Sequence, residues 1–126
     1  MPLTQISLRE GKPAEYRNAL MEQTYLAMRD TIGIPEHDRF ATITEHHPDN
    51  FRTSGDYLGV ARSEDAVFIR ITLNTGRSTD QKKALYARIA ERLASDPGVR
   101  PEDIVIVLTE VTTEDWSLGN GLATYA

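Results

Sequence analysis

The sequence predicts an α+β fold, in which two β-α-β units build one four-stranded sheet with two helices on one face. Three observations predict it. Sliding the chain by 65 positions without a gap superposes Ile6 on Ile71, Leu8 on Leu73, Gly11 on Gly76 and Ala19-Leu20 on Ala84-Leu85. The same shift superposes Gly33 on Gly98, Asp38 on Asp103 and Thr44-Glu45 on Thr109-Glu110. These identities fall at strand ends, turn glycines and a helix face, as a duplicated unit requires. Residues 3–8 and 68–73 alternate, with Ile6/Leu8 and Ile69/Ile71/Leu73 on one side, the period of a half-buried strand. Between the strands, apolar residues recur at helical spacing: Ala19, Leu20, Ala27 and Met28, then Leu85, Ile89 and Leu93.

Each element has its own signals. After the first strand, the turn Arg9-Glu10-Gly11-Lys12 leads to a helix over 13–32. Pro13 suits the first turn of that helix and Gly33 ends it. Pro35 precedes a second strand over 40–45. Residues 46–65 are turn-rich and predict a short hairpin or an arm toward another subunit. The third strand runs into Asn74-Thr75-Gly76-Arg77, and Ser78-Thr79-Asp80-Gln81 has the serine-to-glutamine spacing of a capping box. The second helix, 78–95, ends at Asp96-Pro97-Gly98, and Pro101 precedes a fourth strand over 104–111. In the tail the glycines of Gly119-Asn120-Gly121 are spaced for another hairpin. The expected organisation is one domain over 1–126, with pseudo-repeats at 2–46 and 67–111.

Parallel strands joined by right-handed crossovers put both helices on one face. The opposite face then carries Leu3, Gln5, Ser7, Phe68, Arg70 and Thr72. It is too mixed for a dry core and too apolar to face water without cost. Packing against further copies in closed cyclic symmetry resolves this.

Composition removes several functions. At 126 residues, 40% hydrophobic and 26% charged, the chain has the make-up of a globular domain rather than a disordered one. A net charge of −5 disfavours nucleic acid and anionic membrane as partners, though one or two local arginines suffice for a small anion. The absence of cysteine excludes disulfides, thiolate metal sites and a cysteine nucleophile. The N-terminus lacks the pattern of a signal peptide, and no apolar run is long enough to span a bilayer. The expectation is a soluble, cytoplasmic protein.

Among candidate residues, Pro2 is the sharpest. Removal of Met1, which a small following residue permits, frees a constrained secondary amine at the head of a strand. Such an amine acts as acid, base or nucleophile, tuned by burial and neighbouring charge. Arg77 is a cation at a helix start, against the helix dipole, and so asks for a reason beyond the helix itself. Asp38 reads equally as a turn aspartate or a functional carboxylate. Trp116, the only tryptophan, reads as a cap on a core or interface as readily as a ligand wall. His46-His47 lacks a third ligand at metal spacing, so no metal is expected. Gly119-Asn120-Gly121 lacks the strand and helix of a phosphate loop. Arg88, Glu91 and Arg92 read as a solvated helix face.

Four segments together resemble the tautomerase superfamily, and within it the malonate semialdehyde decarboxylase group. They are Pro2-Leu3, Pro35-Glu36-His37-Asp38-Arg39-Phe40, Arg77-Ser78-Thr79-Asp80-Gln81-Lys82 and Asp115-Trp116-Ser117-Leu118-Gly119-Asn120-Gly121. The resemblance implies a homotrimer of duplicated β-α-β subunits and a cofactor-independent acid–base enzyme for small 2-oxo or 3-oxo acids. It implies Pro2 as the proton-transfer group, Asp38 as the carboxylate orienting Pro2 or water, and Arg77 as the binder of the substrate carboxylate. Trp116, Leu118 and Tyr125 would wall the pocket. One departure stands out. The group carries two arginines in the turn where this chain has Thr75 and Arg77, which weakens the case for decarboxylation; Arg70 is a candidate substitute. The alternative reading is a non-catalytic trimeric scaffold in which Pro2 is idle or blocked.

Overall fold

Strand β1 (Leu3–Arg9) buries every second residue, Thr4, Ile6 and Leu8, so one side of the strand is committed to a core. The computed structural model describes residues 1–126. Helix α1 (Ala14–Ile32) begins after Pro13, and Gly33, at φ 68°, closes it in the left-handed region that glycine occupies without cost. Strand β2 (Ala41–His46) follows, then a long connection. The second unit supplies β3 (Val67–Asn74), α2 (Thr79–Ser95) and β4 (Ile104–Val111). Ser78 caps α2 as its spacing predicts: its hydroxyl accepts the Gln81 N–H, and the Gln81 side chain accepts the Ser78 N–H.

The sheet order is β2-β1-β3-β4, with parallel outer pairs and an antiparallel β1–β3 pair at the centre. Its register obeys the 65-residue shift. Thr4 faces Ala41 and Ile69 faces Ile106; Ile6 faces Ile43 and Ile71 faces Leu108. In the central ladder, Leu3↔Thr72 maps onto Ser7↔Phe68, Thr4↔Ile71 maps onto Ile6↔Ile69, and Gln5↔Arg70 maps onto itself. A local twofold axis therefore runs through the Gln5–Arg70 pair.

Both helices cover one face. Leu20, Tyr25, Ala27 and Met28 of α1 and Leu85, Ile89 and Leu93 of α2 close over Ile6, Leu8, Val67, Ile69, Ile71 and Leu73. Burying side chains of this size stabilises by roughly 1.5–3 kcal/mol each. The other face is open: Gln5, Ser7, Thr44, Phe68, Arg70, Val105 and Val107 line a broad groove of about 500 Å³, and Val107 is 50% exposed.

Three expectations are corrected. The connection at 46–65 forms no hairpin. It makes short 3-10 turns at Pro48–Asn50 and Tyr57–Gly59, and Phe51 stacks on Phe68 with ring centroids 4.6 Å apart. Its residues lack the alternation that would give two strands something to bury. The tail likewise forms a 3-10 turn at Thr113–Asp115 and further turns, with no strand. Arg88 and Arg92 are not simply solvated: their Nε and Nη2 atoms lie 2.8 and 2.7 Å from Asp30 Oδ2 on α1. This clamp holds the Asp30 carboxyl down at about 2, because hydrogen bonds from both guanidiniums favour the charged form. No helix is long and apolar enough to cross a membrane.

Candidate active site

Asp38 lies at the end of the turn that follows α1, and Pro2 opens β1 beside it. The Thr4 N–H donates to Phe40 O at 3.0 Å, which stitches the head of β1 to the chain immediately after Asp38. Pro2, Thr4, Asp38, Arg39 and Phe40, with the α1 residues Asn18, Met21, Glu22 and Tyr25, line one cavity of about 210 Å³. Pro2 is buried. The terminal amine, carried by Met1, stands 3.5 Å from Asp38 Oδ2, with the Asp38 side chain only 14% exposed. Asp38 Oδ1 and Thr4 Oγ1 are buried without a protein partner. A carboxylate with one oxygen unpartnered can accept a further hydrogen bond from an amine or a water in the cavity.

The aspartate at the twofold-related position has a different environment. Asp103 is 1% exposed, and its two carboxylate oxygens accept the Ser63 N–H at 2.6 Å and the Ser63 hydroxyl at 2.7 Å. In the second unit the connecting segment saturates the carboxylate. In the first unit the carboxylate stays open to the cavity.

The remaining sequence candidates fall into two groups. Arg77 is half-buried and donates from Nη1 to Asn74 O at 2.9 Å, while Trp116 Nε1–H donates to Asn74 Oδ1 at 2.7 Å. Asn74 thus ties Arg77 and Trp116 together at the C-terminal end of β3. The antiparallel register sets that end beside the start of β1, where Pro2 lies. Thr75 is exposed, its N–H bonded to Val111 O. Leu118 and Tyr125 are exposed in the tail. Arg70 projects from the middle of the open face, among the residues of the broad groove and outside the Pro2 cavity. Within one chain, the fold joins Pro2 to Asp38 and Arg77 to Trp116, and leaves Arg70, Thr75, Leu118 and Tyr125 on open surface. The histidine pair takes local contacts: the His46 ring tilts against Phe51, and His47 Nδ1 accepts the Asp49 N–H.

Sequence reasoning missed three neighbours of Asp38. The Tyr25 hydroxyl donates to Pro35 O at 2.7 Å. The Arg39 guanidinium lies 3.9 Å over the Tyr25 ring, donates from Nε to Glu36 O at 3.1 Å, and pairs with Glu22 at 2.5 Å. In the 65-residue comparison Tyr25 falls on Ala90 and Arg39 on Ile104, so the second unit carries no counterpart of either.

Known proteins match this arrangement over its full length. Two family models, each described as tautomerase enzyme, match residues 2–61 and 38–119. A probable tautomerase of Bacillus subtilis, YusQ, is 41% identical over 98% of this chain and 97% of its own. A second from that organism, YrdN, is 27% identical over 99% and 96%. Crystal structures of malonate semialdehyde decarboxylase in wild-type, mutant and inactivated forms superpose with a TM-score of 0.92 at 30% identity, covering 98% of this chain and 95% of that one. A second malonate semialdehyde decarboxylase, inhibited by 3-bromopropiolate, gives 0.92 at 34% identity, covering 98% and 93%. A fused 4-OT symmetric trimer, 22% identical with a TM-score of 0.79 over 98% and 97%, shares the fold. With 41% identity across essentially the whole length and a family model spanning residues 38–119, the chain belongs to the tautomerase family.

Proposed function

We propose that the protein, once Met1 is removed, uses the Pro2 amine as the acid–base group of a cofactor-independent reaction on a small 2-oxo or 3-oxo acid. The observation that carries this reading is that buried Pro2 and the Asp38 carboxylate, one of whose oxygens has no protein partner, line the same cavity at the head of β1. In tautomerisation the neutral amine takes the enol O–H proton and returns a proton to carbon 3, leaving the 2-oxo acid and the free amine. Asp38 orients the amine, or a water when the substrate is an unsaturated acid. Arg77 binds the substrate carboxylate through its paired N–H donors, with Trp116 as an apolar wall.

The same parts support hydration and decarboxylation, and the 30–34% identity to malonate semialdehyde decarboxylases favours a 3-oxo acid. Thr75, in place of a second cation, leaves one fewer donor for the substrate's carboxylate and carbonyl, which weakens the case for decarboxylation. The subunit closes its open sheet face by forming a homotrimer, which also brings Leu118, Tyr125 and Arg70 against neighbouring copies.

The test begins with the mass of the natively expressed chain and an assay panel of 2-oxo and 3-oxo acids. Loss of the Met1 mass, with turnover that falls in Pro2→Ala, supports the reading. A mass that includes methionine leaves Pro2 as a tertiary amide and favours the non-catalytic scaffold.

A further inference from the structure

We propose that Tyr25 and Arg39 are positioning residues for Asp38, clamping the turn that carries it so that the carboxylate is aimed while its oxygens remain free for the reaction. This rests on the acid–base reading of Pro2 and Asp38 and deepens it.

The turn runs from Pro35 to Asp38, closed by the Asp38 N–H on Pro35 O at 3.2 Å. The Tyr25 hydroxyl donates to that same carbonyl at 2.7 Å. Arg39 donates to the next carbonyl, Glu36 O, at 3.1 Å. The two side chains are held together by the guanidinium over the phenol ring, and Glu22 anchors the guanidinium to α1. Tyr25 is 5% exposed, so its ring is fixed by the core. Two consecutive carbonyls of a short exposed turn are therefore tied to a buried helix residue and its partner. Arg39 borders the Pro2 cavity, but its Nε and Nη1 are taken by Glu36 O and Glu22, which ties the guanidinium to the turn.

The duplication supplies an internal control. In the second unit the turn from Arg100 to Asp103 forms with the same closing bond, Asp103 N–H to Arg100 O at 2.9 Å. There the positions of Tyr25 and Arg39 hold Ala90 and Ile104, so no side chain from the helix ties the turn carbonyls; Arg100 instead donates to Ala61 O at 3.2 Å and pairs with Glu102. The Asp103 carboxylate is fixed by two hydrogen bonds from Ser63. Asp38 has no such bonds, and one of its oxygens is unpartnered. A carboxylate that must stay available to amine or water cannot be oriented through its own acceptors. Its backbone has to be fixed, and only the first unit has the residues that do this.

The experiment compares wild-type, Tyr25→Phe, Arg39→Lys, Asp38→Asn, Tyr25→Phe/Asp38→Asn and Pro2→Ala proteins, all full-length. Tyr25→Phe keeps the ring and loses one donor; Arg39→Lys keeps the charge and loses the fork. Each is expected to lower kcat up to about tenfold with KM within about twofold, the upper size of one lost hydrogen bond. The double variant is expected to be no slower than Asp38→Asn alone, since both changes remove one device. Amide exchange at Asp38 should quicken about tenfold in Tyr25→Phe while the β1–β3 ladder is unaffected. Wild-type kcat in both single variants, or losses that multiply in the double variant, overturns the positioning role. Unchanged exchange at Asp38 overturns the clamp whatever the rates. Undiminished turnover in Pro2→Ala instead removes the acid–base reading, a distinct outcome.

Discussion

At the scale of single residues, the site is a contrast between one open carboxylate and its saturated twin. Pro2→Ala replaces a constrained secondary amine by a freer primary one, and kcat/KM for an oxo-acid enol should fall by about 10²–10⁴, the usual worth of a positioned acid–base group. Steady-state kinetics on the protein with confirmed loss of Met1 checks it. Arg77→Ala should act mainly on KM. Loss of a charge-assisted pair with the substrate carboxylate costs about 1.5–3 kcal/mol, or roughly 10–150-fold in affinity. Should kcat fall instead while KM holds, Arg77 stabilises developing charge rather than binding the ground state. Pro2 and Asp38 stood out as candidates through the order and spacing of four segments, and the fold sets both on one cavity. Tyr25 and Arg39 did not stand out, because their partners are main-chain carbonyls, and a carbonyl leaves no mark on residue identity.

Among the elements, the strands and helices announced themselves and the connections did not. Alternation specified which side of β1 and β3 is buried, and Leu85, Ile89 and Leu93 face the core as their spacing requires. The capping box of α2 was equally plain, and Ser78→Ala should cost about 1 kcal/mol, lowering the melting temperature by about 4 °C. Glycine spacing at 119–121 marked turns correctly, but a turn says nothing about whether its flanks find a ladder partner. Arg88 and Arg92 showed the i, i+4 spacing of one helix face. Their acceptor Asp30 lies about sixty residues away in α1, beyond the reach of a local pattern. That clamp is a pH-dependent element. Asp30 is held at about 2 against an ordinary 3.8, so its contribution is complete above the ordinary value and disappears as pH falls through about 2. Asp30→Asn should lose less than about 1 kcal/mol at neutral pH, with the difference from wild type shrinking below about pH 4 and vanishing only as pH falls through about 2.

Across the whole molecule, the open sheet face sets the demand for assembly. Val107 stands half exposed beside Val105 and Phe68, on a surface whose one charged groove residue is Arg70. If the proposed trimer closes over this face, Val107→Lys should turn it into monomers by placing an unpaired charge where copies would meet, read by sedimentation velocity. The duplicated topology was visible in the sequence, but the face that needs covering was visible only as a mixture of residue types that no single solvent suits.

The local twofold axis through Gln5 and Arg70 has a stoichiometric corollary. It carries Pro2 onto Val67, an ordinary peptide link within the chain, and carries Asp38 onto the quenched Asp103. In the proposed trimer, six pseudo-equivalent corners would thus hold three reactive ones. An electrophilic affinity label should stop at a single adduct per polypeptide, with residual turnover declining linearly to zero at that endpoint.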